Sequence, residues 1–206
     1  ERVPLDETRI ACLGDSLTYG SAAVIPGQAQ GVVPYPYPAR ITAAHPPIIA
    51  VNYGVGGNTT AQMLSRWRST VRTTNAGVLY LWGGINDILQ SPEPTDVPAV
   101  VASVEENLSR IVSEALSDGR RVVLFTIAPW GGVRWAPPYH WSPARQQATD
   151  RLNAWVRSQA APRVEVCDVW TALNDGTGRL RAAHDAGDGI HLNQAGALVH
   201  VYRDGS

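Results

Sequence analysis

With 206 residues, 44% apolar and 17% charged side chains and a formal net charge of −1, the chain has the make-up of one ordinary globular domain. So balanced a charge supplies no broad field to attract nucleic acid or anionic lipid, and no apolar run approaches the roughly 20 residues needed to span a bilayer. All 17 basic residues are arginine, which excludes imine chemistry on a lysine and a standard Walker A loop.

The chain starts at Glu1 rather than Met and shows no basic-then-apolar leader, as expected of a mature secreted form or a trimmed product. The first apolar run, RIACLG (9–14), reads as a strand, and a short helix fits near 37–45. IIAVNYG (48–54) is a second strand, followed by helical spacing over 59–72. GVLYLWGG (77–84) is a third. Over 96–118, Val100, Val104, Leu108, Ile111, Val112, Ala115 and Leu116 form one stripe, with Asp96 as cap and Gly119 as terminator. RVVLFTIAP (121–129) is a fourth strand. Residues 143–160 form a helix that begins at Pro143 behind a Ser142 cap and aligns Ala148, Leu152, Trp155 and Val156. RVEVCDVW (163–170) is the fifth strand, and a last short helix fits 193–202. Cys12 and Cys167 lie inside the first and fifth runs and read as core thiols, not as a disulfide framework or metal site.

None of these runs alternates cleanly between apolar and polar, so the strands are covered on both faces. Strand–helix alternation implies parallel strands with right-handed crossovers. The expected fold class is α/β: a three-layer α/β/α sandwich of the doubly wound kind around a five-stranded parallel sheet. In such sheets a ligand sits beyond the carboxyl ends of the strands. Polar, Gly-rich segments come after the runs: GDSLTYG (14–20), GVGGNTT (54–60), GGINDI (83–88), PWGGVRWAPPYHW (129–141) and, after an interval, HDAGDGIHLN (184–193). All five should open on one edge.

Ser16, at a Gly-bounded strand-to-helix turn, is a candidate nucleophile that needs a base. Of five histidines, His45 and His200 read as helix-borne and His140 falls in the aromatic loop. His191 has Asp188 three residues ahead of it, with Gly189 between to permit a tight bend; His184 has only the adjacent Asp185. The aspartate at three residues' distance can accept the Nδ1 proton and leave Nε2 for a serine, which favours His191. Asn86 can donate to a developing oxyanion, and the Gly56–Gly57 pair lets a backbone N–H approach it.

GDSLTYG, GVGGNTT, GGINDI and DGIHLN, in this order over residues 14–193, resemble the four sequence blocks of the SGNH, or GDSL-type, hydrolase superfamily. The resemblance implies a flavodoxin-like sandwich and a serine esterase without metal or organic cofactor. It assigns Ser16 as nucleophile, His191 as base and Asp188 as its orienting carboxylate. The oxyanion donors would be the Ser16 N–H, the Gly57 N–H and the Asn86 side chain. The residues around Ser16 are not a G-x-S-x-G elbow, which disfavours an α/β-hydrolase.

Trp130, Trp135, Tyr139 and Trp141 crowd the fourth loop, and Tyr19 and Trp82 belong to neighbouring strand ends. They are expected to form an aromatic wall for a sugar face or a short acyl or aryl group, with the 21–38 loop as the opposite wall. The expected substrate is therefore a small-molecule or carbohydrate ester of a short acid. Lysophospholipid or thioester hydrolysis, or acyl transfer to an alcohol, would use the same residues. Two readings of another kind compete: a metal site built from His184, Asp185, Asp188 and His191, and a non-catalytic carbohydrate-binding protein.

Overall fold

Five strands line up in the order β2-β1-β3-β4-β5, every neighbouring pair parallel: β1 (Asp6–Gly14), β2 (Ile49–Gly54), β3 (Ala76–Trp82), β4 (Arg121–Phe125) and β5 (Val164–Cys167). The computed structural model describes residues 4–21 and 36–199. Among the described residues, seven α-helices connect or succeed the strands: α1 (Ser16–Tyr19), α2 (Tyr37–Ala44), α3 (Thr60–Ser69), α4 (Ile85–Gln90), α5 (Val97–Ser117), α6 (Pro143–Ser158) and α7 (Val169–Leu173). Of the described residues, no helix is long and apolar enough to cross a membrane.

The continuous apolar runs are explained by two cores, one on each sheet face. Ala11, Leu13, Leu79, Leu81, Val122 and Leu124 meet α3, α4, α5 and α6 on one side. The residues between them, Ile10, Cys12, Val78, Trp82 and Phe125, meet Leu17, α2, α7 and the segment around Leu192 on the other. Helix α5 buries Val101, Val104, Leu108, Ile111 and Ala115, one residue every three or four. Each large aliphatic side chain so buried contributes about 1.5–3 kcal/mol. Asp96 and Ser142 cap α5 and α6 by accepting from the Ala99 and Arg145 N–H groups, as the sequence implies. The result is the expected three-layer sandwich, with the strand order reversing between β1 and β3. A crevice at such a reversal is where doubly wound folds bind ligands.

Several boundaries differ from the sequence reading, β1 beginning at Asp6 and not at Arg9 and β3 ending at Trp82; three of the differences have a physical cause in view. The fifth run is not one strand: Asp168 breaks it by accepting the Thr171 N–H and hydroxyl, and Val169 and Trp170 begin α7. The fourth run leaves the ladder after Phe125; the buried Asn153 amide bonds both the N–H and the carbonyl of Ile127 in place of a neighbouring strand. The terminal helix is a single 3₁₀ turn at Gly196–Leu198, and residues 200–202 of the expected helix lie outside the described residues. Cys12 is buried, and Cys167 is partly exposed, three strand positions away across the sheet.

Candidate active site

The nucleophile turn forms because Asp15 caps the short helix after it. Its Oδ1 accepts the Leu17 N–H at 2.9 Å and starts α1, placing Ser16 as the first helical residue directly after β1. The Asp15 side chain is buried, its Oδ2 finds no partner among the described residues, and burial pushes its carboxyl up to about 7.

The segment 185–192 folds back on itself through two aspartates. Asp185 Oδ1 accepts the N–H groups of Gly187 and Gly189, and Asp188 Oδ1 accepts those of Ile190 and His191. Gly189 has φ +81°, and a Cβ there would collide with the Gly132 carbonyl, so this turn fits only glycine. Turned this way, Asp188 offers its second oxygen to the ring: His191 Nδ1 lies 2.7 Å from Asp188 Oδ2. A carboxylate has acceptors only, so Nδ1 carries the proton and Nε2 is left as an acceptor. The Ser16 hydroxyl lies 3.0 Å from that Nε2, across 175 residues of sequence. Asp188 and His191 are both buried, while Ser16 is partly open to solvent. Serine, histidine and aspartate thus form one hydrogen-bonded row able to generate an alkoxide and to pass its proton to a leaving group.

The donor loop of residues 54–60 is held by α4 at three points. Asn86 Nδ2 donates to the Asn58 carbonyl at 3.1 Å, Gln90 Nε2 donates to the Gly57 carbonyl at 2.7 Å, and the Asp87 carboxylate accepts the Thr60 N–H and hydroxyl at 2.9 and 2.7 Å. Burial raises the Asp87 carboxyl from its ordinary range, against those two bonds. Gly57 has φ +76°, a conformation that favours glycine, and the place a Cβ would take is open. An Asn amide carries two hydrogens, and the bond to Asn58 uses one of them. Ser16, Gly57 and Asn86, the expected oxyanion donors, come after β1, β2 and β3, the strands that flank the reversal. Sequence reasoning missed the residues that brace them, Asp87 and Arg66. Asp87 lies inside the GGINDI block; Arg66 carries no local signal.

The aromatic residues divide. Trp82 and Trp130 are core rings, not parts of a surface wall. Trp82 stacks on Phe125 and donates to the Thr126 carbonyl; Trp130 donates to the Thr149 hydroxyl. The reason is physical: each indole N–H has a buried acceptor, so the whole ring can leave water. Trp135 packs beside the His191 ring. Tyr19, Tyr139 and Trp141 are exposed at 45%, 47% and 39%. The loop carrying the last two is strapped down by fully buried Arg145, which donates to the Pro138, His140 and Ser91 carbonyls and pairs with Glu93 at 3.0 Å. Most of the expected opposite wall, residues 22–35, lies outside the described residues, as does His200; His45 caps the end of α2. Of the four possible metal ligands, Asp188 and His191 bond each other and Asp185 bonds backbone; among the described residues no three such side chains are grouped to hold an ion.

The model of the GDSL-like Lipase/Acylhydrolase family matches residues 12–199. Comparison with curated proteins gives no match. Among solved structures, a protein of the G-D-S-L family from Desulfitobacterium hafniense DCB-2 superposes with a TM-score of 0.72 at 19% identity, covering 94% of this chain and 95% of its own. An acetylxylan esterase from Geobacillus stearothermophilus gives 0.67 at 20% identity, with 98% and 93% covered. A lipase/acylhydrolase from Enterococcus faecalis gives 0.62 at 23%, with 92% and 89% covered. At these identities the superpositions establish a common fold.

Proposed function

From the premise that the chain belongs to the GDSL-like lipase/acylhydrolase family, as a carboxylic ester hydrolase with a serine nucleophile, we propose that it acts on esters of short acids, an acetylated sugar among them. The observation that carries the chemistry is the row Ser16 Oγ–His191 Nε2 at 3.0 Å and His191 Nδ1–Asp188 Oδ2 at 2.7 Å. Ser16 attacks the ester carbonyl while His191 takes its proton. The oxyanion is received by the Ser16 and Gly57 N–H groups and the Asn86 amide. His191 then protonates the departing alcohol, and water repeats both steps on the acyl-enzyme.

One feature of the loop after β4 supports a carbohydrate ester. The exposed Tyr139 and Trp141 sit on a strapped loop and offer flat faces suited to a sugar ring. The similar Geobacillus protein is an acetylxylan esterase, which agrees with that preference. The test is a series of p-nitrophenyl esters from acetyl to lauroyl, with acetylated xylo-oligosaccharides alongside, on the wild type and on Ser16→Ala. Turnover should be greatest for the shortest chains and vanish in Ser16→Ala, together with labelling by a fluorophosphonate. Best turnover on long chains would overturn the short-acyl reading; undiminished turnover in Ser16→Ala would overturn the mechanism.

A further inference from the structure

The guanidinium of Arg66, on α3, bonds three separate segments at once. Its Nε donates to Asn58 Oδ1 at 2.7 Å, one terminal nitrogen donates to the Tyr53 carbonyl at 2.7 Å, and the other donates to the Gly14 carbonyl at 3.0 Å. Gly14 is two residues before Ser16. Tyr53 lies near the end of β2, where the donor loop begins. Asn58 comes directly after Gly57, and its own carbonyl receives the Asn86 amide. Each segment that carries an expected oxyanion donor is therefore tied to one planar, rigid group, directly or through Asn58. Arg66 is half-buried and its charge is within electrostatic reach of Asp15, the cap of the nucleophile turn.

From this geometry we infer that Arg66 is a positioning residue of the reaction: it sets the spacing between the nucleophile turn and the Gly57–Asn86 donor pair. The inference rests on the ester-hydrolase reading of the site. An oxyanion hole works only when its donors are already aimed at the place where charge develops. A displacement of about 1 Å can cost about 10²-fold in rate. Arginine suits the task because its fork of donors is fixed in one plane, whereas a lysine ammonium is a single point on a flexible stem and cannot span three acceptors.

The experiment measures kcat and KM on p-nitrophenyl acetate, with Tm, for the wild type, Arg66→Lys, Asn58→Ala, Asn86→Ala and the double variant Arg66→Lys/Asn86→Ala. Arg66→Lys should lower kcat by about 10–100-fold with KM within about threefold, the pattern of support felt only in the transition state. In the double variant the loss should stay within about threefold of Asn86→Ala alone, because Asn86→Ala already releases the Asn58 carbonyl and frees the loop that Arg66 positions through the same residue. A residue that only holds the fold together would lower Tm and add its loss to that of Asn86→Ala. A wild-type kcat in Arg66→Lys, or multiplied losses in the double variant, overturns the inference. If Arg66→Lys does not fold, Asn58→Ala decides: it cuts the link to the donor loop while leaving the Asn58 carbonyl and the Arg66 charge in place. Its kcat should fall by about tenfold, and a wild-type value overturns the inference. A wild type that cleaves no ester would instead refute the functional reading itself.

Discussion

The indole of Trp135 lies beside the imidazole of His191, with ring centroids 5.8 Å apart and planes inclined by 49°. It closes one side of the catalytic base, yet its own Nε1 is buried without an acceptor among the described residues. Ring contact and orphan donor pull in opposite directions, and two substitutions separate them. Trp135→Phe keeps a ring and removes the unsatisfied donor, so Tm should hold or rise by a few degrees, at about 2–4 °C per kcal/mol for a chain of this size. Trp135→Ala removes a contact of about 0.5–1.5 kcal/mol and lets water reach His191, so kcat should fall by about 3–10-fold. Steady-state kinetics and thermal melts check both, and an unchanged kcat in the alanine variant would mean that the ring gives the base no support.

Gly189 offers a sharper structural test. Its positive φ and its contact with the Gly132 carbonyl forbid a side chain. The same turn also ties the aromatic loop to the base, because the Asp188 carbonyl accepts the Arg134 N–H at 3.0 Å. Gly189→Ala should therefore cost at least about 2 kcal/mol and lower Tm by roughly 5 °C or more, with slower labelling of Ser16 by a fluorophosphonate. An alanine variant with native Tm and labelling rate would show that the turn has room the structure does not display.

Asp15 makes stability depend on pH in a direction opposite to that of a salt-bridged carboxylate. Burial holds its carboxyl at about 7, against an ordinary 3.8. Between roughly pH 4 and 7 the unfolded chain has lost this proton and the folded chain keeps it, so stability falls as pH rises through the window. Below it both states are protonated; above it the loss is complete, at an upper limit of about 4 kcal/mol. Positive charge on His191 reduces the penalty and the Asp87 carboxylate adds to it. Asp15→Asn mimics the protonated acid and keeps an oxygen for the Leu17 N–H. Relative to the wild type it should gain Tm steadily from about pH 4 to 7 and then level off. A Tm difference independent of pH would place the Asp15 ionisation outside this window.

How much of this could be read in advance depends on where each residue's partners lie. The strand runs were readable because residues such as Leu13 and Cys12 are buried on opposite faces, which removes polar positions from the run. The α5 stripe was readable because its period is set within one segment. In the site, the short range of the Asp188–His191 pair allowed its detection from spacing, and the ordered blocks brought Ser16 beside it. What escaped notice depends on partners far away in sequence. Trp130 reads as an exposed loop ring until Thr149 is seen beneath its N–H. Arg66 and Arg145 drew no reading from the sequence, because most of their acceptors are carbonyls of distant segments. Carbonyls carry no side-chain signature, so no local pattern announces a residue that binds them. The lost end of the fifth strand is the reverse case: Asp168 was visible, but its choice of capping over extension depends on Arg157, whose guanidinium holds the same carboxylate at 3.0 Å.

The Asp188 carboxylate divides its work between backbone and base, so its two roles can be separated. Oδ1 accepts the Ile190 and His191 N–H groups, which shapes the turn, while Oδ2 accepts the imidazole proton. Asp188→Asn can keep the first role, since the amide oxygen replaces Oδ1, but it must present its NH₂ group to Nδ1. A donor facing Nδ1 drives the ring proton to Nε2, which then donates toward Ser16 instead of accepting from it. The serine loses its base while the ring stays in place. The expected outcome is a Tm close to wild type and a kcat lower by about 10³–10⁴-fold, with Ser16 labelling reduced in step. Asp188→Ala should differ in kind, because it removes both roles and leaves two backbone donors unpaired in a buried turn, at about 1–3 kcal/mol each. Measured side by side, the asparagine variant should lose rate without stability and the alanine variant should lose both. Equal stability losses in the two would mean that the turn depends on the charge of Asp188 and not on its geometry.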